Sequence, residues 1–141
     1  MTTKASPRKL EIQLMVDHPR LQSAELEKLL TLPADEYWDV GQTYRPSPRS
    51  SEQRYQFSRW ALRIEANSLD DLTDAVHALL QRIRGIEQKF HLLPDDSKVG
   101  LTLFVTETDT VIGMGIDTEA IKLLARINAG IEISLVVTTP D

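Results

Sequence analysis

Leu10-Glu11-Ile12-Gln13-Leu14-Met15-Val16-Asp17 places Leu10, Ile12, Leu14 and Val16 on one side, with Met15 the one apolar residue on the other. Period two with one apolar side is the mark of a half-buried strand. Asp17-His18-Pro19 ends it, because proline lacks a donor and restricts the residue before it. The period returns in Trp60, Leu62 and Ile64, set against Arg59, Ala61, Arg63 and Glu65. It returns again in Leu101, Leu103 and Val105 against Thr102, Phe104 and Thr106, and in Ile131, Ile133, Leu135 and Val137. A parallel sheet covered on both faces would show near-continuous apolar strands, so helices are expected on one face only.

Between these strands the spacing turns helical. Ser23 is a candidate N-cap for a short helix carrying Leu26, Leu29 and Leu30, stopped by Pro33. Asn67 or Ser68 is expected to cap the longest helix, whose stripe runs Leu72, Val76, Leu79, Ile83, Ile86, Phe90 with Gly85 inside it. Pro94-Asp95-Asp96-Ser97 reads as a turn, and Thr108-Asp109-Thr110 as a hairpin turn into a strand over Val111–Ile116. Asp117 or Thr118 caps a third helix carrying Ile121, Leu124 and Ala125, which ends at Asn128-Ala129-Gly130. The expectation is an α+β two-layer sandwich. It has about five strands in a mainly antiparallel or mixed sheet, three helices on one face, and the order β-α-β-α-β-β-α-β.

The 141 residues suit one domain, expected over 10–139 behind a flexible terminus at 1–9. No cysteine is present, which removes thiol chemistry and cysteine-ligated zinc. No apolar run approaches the ~18 residues of a membrane span, and the polar start is unlike a signal peptide, so a cytoplasmic setting is expected. A net charge of −5 argues against nucleic acid as a partner.

Tyr37–Leu62 is where side-chain chemistry concentrates. Both tryptophans, Trp38 and Trp60, fall in it, and Gly41 suggests a position that a side chain would crowd. Arg45-Pro-Ser-Pro-Arg-Ser-Ser-Glu-Gln reads as a mobile loop. Arg45, Arg49, Arg54 and Arg59 stand against Glu52 alone, a local reversal of charge. Interleaved with Tyr44, Tyr55 and Phe57, they are candidates, with Trp38, for holding a carboxylate or phosphate. The plainer readings are a solvated loop and buried indoles. On the open face of the sheet, Met15, Phe104 and Val136 form a candidate apolar interaction patch if their strands are neighbours. His18, His77 and His91 lack metal-ligand spacing, with His77 expected at the surface. Gly113-Met114-Gly115 lacks the context of a phosphate loop, and no serine sits in a nucleophile elbow. Neither catalytic residue, metal nor cofactor is assigned.

Several of these residues together resemble a bacterial family, domain-of-unknown-function family 4279. They are Leu29-Leu30-Thr31-Leu32-Pro33, Trp38-x-x-Gly41, Trp60-Ala61-Leu62, and Asn128-Ala129-Gly130 leading into Ile131-Glu132-Ile133-Ser134-Leu135. The last strand departs from the family's pattern, with Glu132, Ser134 and valines where an aspartate and a terminal tyrosine often stand. The resemblance implies a fold and a bacterial intracellular setting, and no catalytic residues. The leading expectation is a non-enzymatic protein-binding module, immunity-like or accessory by analogy. The alternatives are a small anionic-ligand or enzymatic site between Trp38 and the arginine loop, and a structural homodimer formed through Met15, Phe104 and Val136.

Overall fold

The computed structural model describes residues 9–66, 71–107 and 116–137. In chain order its elements are β1 (Lys9–His18), α1 (Ser23–Leu30), β2 (Glu36–Trp38), β3 (Thr43–Tyr44), β4 (Gln53–Arg54) and β5 (Ser58–Ala66). Then come α2 (Leu72–Gln81), α3 (Glu87–Phe90), β6 (Lys98–Glu107), α4 (Thr118–Arg126) and β7 (Gly130–Val137). Five strands form one sheet in the order β2-β5-β1-β6-β7, and β3 and β4 form a separate ribbon. The fold is α+β with a mixed sheet. β1 is antiparallel to both β5 and β6, and β2 to β5, while β6 and β7 run parallel. A parallel pair needs a crossover, and α4 lies in that connection.

The apolar phase of the strands builds the core. Leu10, Ile12, Leu14, Val16, Trp60, Leu62, Leu101 and Leu103 are buried with Leu26 and Leu30 of α1, Val76 and Leu79 of α2, Phe90 of α3 and Leu123 and Leu124 of α4. One inward face therefore takes all four helices. The indole N–H of Trp60 donates to Leu32 O at 2.9 Å, and the ring meets Phe90 edge-on at 6.4 Å.

The long helix is broken. α2 ends at Gln81, Gly85 takes φ +92°, and a single turn, α3, follows. Ile83, Ile86 and Phe90 still pack against the core, which is why the apolar stripe runs across the break. α1 is preceded by Gln22 in the N-cap position, since Ser23 is already helical. Asp117 caps α4 as expected, its Oδ1 accepting from Ala120 N at 3.0 Å, but the inward face is Ala120, Leu123, Leu124 and Ile127. Ile121 and Ala125 point outward. Asn128, not Gly130, takes the left-handed conformation after α4. At Gly41 no atom lies within 4 Å of where a Cβ would sit, so its φ of +86°, not crowding, calls for glycine. His77 is half-buried, with Nε2 2.6 Å from Asp117 Oδ2, and ties α2 to the cap of α4. The caps expected at Asn67 or Ser68 and the hairpin at 108–115 lie outside the described residues. Ile116 is described; it is not in a strand and packs against the core.

The outer face of the sheet is drier than alternation implies. Gln13, Met15 and Thr102 are each 6 % exposed and Ala61 is fully buried. Arg63 spans Glu11 (2.6 Å) and Glu65 (3.0 Å), and Gln13 donates to Glu11 and Glu36. These long side chains lie flat across the strands and shield their neighbours, as amphipathic stems do.

Asp35, just before β2, is clamped by both terminal nitrogens of Arg82 after α2 and accepts from Arg63 N at 2.9 Å. The Arg82 hydrogen bond holds its carboxyl below the ordinary value of 3.8, against the opposing pull of desolvation. A lowered folded value means that the stabilisation is present above the unfolded pKa and is lost as pH falls through the folded one. Arg82→Ala should flatten this acid limb. Urea melts at about pH 6 and about pH 3 should then differ less than in the parent.

Candidate functional site

The outer face carries, row by row, the side chains that alternate away from the core. Register sets Trp38 beside Arg59, Arg59 beside Asp17 and Asp17 beside Lys98, one residue from each of four strands. The next row is Glu36, Ala61, Met15, Gly100 and Gly130, followed by Arg63, Gln13, Thr102 and Glu132.

Two hollows open here. One, of about 360 Å³, is lined by Asp17, His18, Pro19, Gln56, Phe57, Asp96 and Lys98. The other, of about 390 Å³, has Gly100 and Gly130 in its floor, with Met15, Thr102, Glu132 and Asn128 around them. Asp17 and Lys98 line both, so the hollows adjoin as one trough.

The paired glycines explain the second hollow. Gly100 and Gly130 face each other across β6 and β7, and neither has positive φ. A Cβ on Gly100 would meet only Gly130 O, at 3.8 Å, and one on Gly130 would meet nothing within 4 Å. Neither backbone conformation nor space demands glycine, yet glycine weakens a strand. What the pair does is leave the sheet bare. Gly100→Ala and Gly130→Ala are each expected to raise stability by about 0.4–1 kcal/mol in chemical denaturation, the gain from a less flexible unfolded chain.

An aromatic stack stands beside the first hollow. Tyr44 stacks on Tyr55 at 4.1 Å and Tyr55 on Trp38 at 4.5 Å, with Phe57 tilted against Trp38 at 5.8 Å. The Arg59 guanidinium lies 4.6 Å from the Trp38 ring centre and 5.3 Å from that of Phe57. Tyr55 and Arg59 thus both lie against the Trp38 ring. Its N–H is used as well, on Phe57 O at 3.0 Å. Arg59 also grips Asp17 with two nitrogens, at 2.7 and 2.8 Å, a fork geometry suited to a carboxylate.

The candidate arginines take separate partners. Arg45 donates to Ser50 O and Arg54 to Gly41 O, both bracing the β3–β4 ribbon, while Arg49 is exposed at the loop tip. The segment expected to be a mobile loop, Arg45–Gln53, connects the two short strands of this ribbon and enters a strand only at Gln53, while Tyr44 and Tyr55 stack at its base. Of the apolar patch, Met15 is buried in the trough wall and Phe104 is half-buried. Met15 pairs with Gly100, four residues along β6 from Phe104, which separates them by roughly 13 Å. Val136 shares their face by register with Thr106, and its side chain lies outside the described set.

A sequence scan for spaced ligands passes over His18. It is 2 % exposed, its Nδ1 accepts from Arg20 N (3.0 Å) and Leu21 N (2.9 Å), and Nε2 lies 2.7 Å from Asp96 Oδ1. With Nδ1 accepting, the ring proton sits on Nε2 and is donated to Asp96. Both nitrogens are committed, so the imidazole fastens the end of β1 to the turn before β6 and has no lone pair left to act as a base. Arg20 also reaches Asp96. Desolvation opposes ionisation of Asp96, but the bond from His18 and the charge of Arg20 prevail and hold its carboxyl below the ordinary range.

The family model described as Domain of unknown function (DUF4279) matches residues 8–138, nearly the whole chain. The chain belongs to the DUF4279 family. No curated protein and no solved structure gives a significant match. Among the described residues of this DUF4279 domain, no helix is long and apolar enough to cross a membrane. The trough escapes sequence reading because Gly100 and Gly130 become neighbours only through the parallel register of β6 and β7.

Proposed function

We propose that this domain is a non-catalytic binding module that seats an extended segment of another protein in the outer-face trough. The pair Gly100–Gly130 carries the reading: two strand glycines that geometry does not require keep a floor open for the close approach of another chain. Dimensions favour an extended chain over a compact metabolite. Two strand spacings separate Phe57 from Lys98, and a further stretch of β6 leads to Thr102 opposite Glu132. Together these span on the order of 20 Å, room for about six extended residues.

The other readings draw less from the geometry. The Trp38 ring is already engaged by Tyr55 and Arg59, and Arg45 and Arg54 are spent on carbonyls. A homodimer through Met15, Phe104 and Val136 needs one patch, and Met15 and Phe104 lie apart.

The test fills the floor. Gly100→Leu and Gly130→Leu each project a side chain into the hollow without backbone strain. Hexapeptides selected on the parent domain should lose at least about tenfold in affinity on either variant, as an occluding side chain demands. The thermal midpoint should stay level or rise. Peptides that bind parent and variants equally, or a selection that returns none, would sink the proposal.

A further inference from the structure

The trough has a charge pattern that its overall composition hides. The carboxylate of Asp17 is gripped by Arg59, and that of Asp96 by His18 and Arg20. Lys98, where the two hollows meet, is exposed and makes no ion pair or hydrogen bond with the described residues. Glu132, at the far end of the second hollow, is in the same condition. Among the described residues, one positive and one negative group thus face the trough unanswered, while Asp17 and Asp96 in its walls are paired within the fold.

We infer that the occupant is a protein segment with an acidic side chain at Lys98 and a basic side chain at Glu132. The inference rests on the trough being the binding surface. Because the trough continues on both sides of Lys98, the bound chain runs past it, so the carboxylate belongs to a side chain and not to a chain terminus. Glu132 stands opposite Thr102, four residues along β6 from Lys98. That places the two charges about 14 Å apart at Cα, or roughly four extended residues, and long side chains shorten the spacing to as few as two. On the other side of Lys98, Pro19 and Phe57 give the segment an apolar contact. An exposed charge on each wall adds discrimination and registry more than affinity. Register matters here, because a one-residue slip would turn the acidic side chain away from Lys98.

The experiment is a positional-scanning library of acetylated, amidated hexapeptides, read by fluorescence polarisation on the parent domain, Lys98→Glu and Glu132→Lys. The expected result is enrichment of Asp or Glu at one position and of Lys or Arg two to four residues away. Lys98→Glu should reverse the first preference and leave the second; Glu132→Lys should do the converse. The best parent peptide should weaken about tenfold on Lys98→Glu, a loss of ~1.4 kcal/mol, and should bind less well as salt rises. Peptides that bind in the trough, and are lost on Gly100→Leu, but show no charge preference would overturn this inference and leave the trough intact. A library that binds nowhere, or binds equally to Gly100→Leu, removes the trough itself and the inference with it.

Discussion

Truncating Trp60 to alanine should cost about 3–5 kcal/mol of folding stability, read as a lower urea midpoint at unchanged slope. The ring is fully buried, meets Phe90 edge-on, and its N–H answers the Leu32 carbonyl beyond α1. Truncation opens a cavity beneath the sheet and leaves that carbonyl without its donor. Against a typical total of about 5–15 kcal/mol, the loss leaves a marginal domain. Trp60→Phe restores most of the volume but not the donor, so it should fall between. A loss under about 1 kcal/mol for Trp60→Ala would mean that the core collapses around the site and that the ring does not hold α1 and α3 to the sheet.

Arg59→Ala should be the next most damaging change, at about 2–3 kcal/mol. That estimate lies between the ~3–5 kcal/mol for stripping one partner from a buried pair and the ~0–1 kcal/mol of a surface pair. The side chains of Arg59 and Asp17 are 18 % and 22 % exposed, which puts the pair between those limits. Two losses combine: Asp17 keeps its charge without its fork, and Trp38 and Phe57 lose the cation between them. A double-mutant cycle with Asp17→Asn separates the two. If Arg59→Ala costs the same in the Asp17→Asn background, the ion pair contributes nothing and the aromatic contact carries the effect. The substitution reaches the trough as well. An uncancelled Asp17 stands opposite Lys98 in register and would answer its charge, so an acidic peptide should bind Arg59→Ala more weakly even where the fold persists.

Most of the scaffold could be read from residue order. Alternation in Leu10–Asp17, Trp60–Ile64 and Leu101–Val105 reports which side of each strand meets the helices, and period two has no other stable use in a half-covered sheet. The Leu72–Phe90 stripe misled because a turn can keep the same apolar phase across a break, and Gly85 alone did not fix where α2 stops. The dryness of the outer face was illegible because Arg63, Glu11 and Gln13 screen it through contacts between strands. The contacts of Trp38 were illegible because Tyr55 follows β4 and Arg59 lies in β5, and only the folded ribbon brings both to the ring. The candidate site was the least legible part. Gly100 and Gly130 are unremarkable apart and acquire meaning as a pair.

The central place of β1 also bears on how the domain is made. It is the first strand of the sheet to be synthesised and waits for neighbours on both sides, since its partners are β5 and β6 and Asp17 pairs with Lys98. At about 5–20 residues per second, the Leu-Ile-Leu-Val edge emerges on the order of 5–20 s before β6 is complete. A newborn chain must therefore pass through a stage with its most apolar ribbon unmatched, in a topology whose sequence-distant pairings close slowly. Quality-control factors that shield nascent apolar strands are most needed here, and the vulnerability ends when β6 slides in along β1.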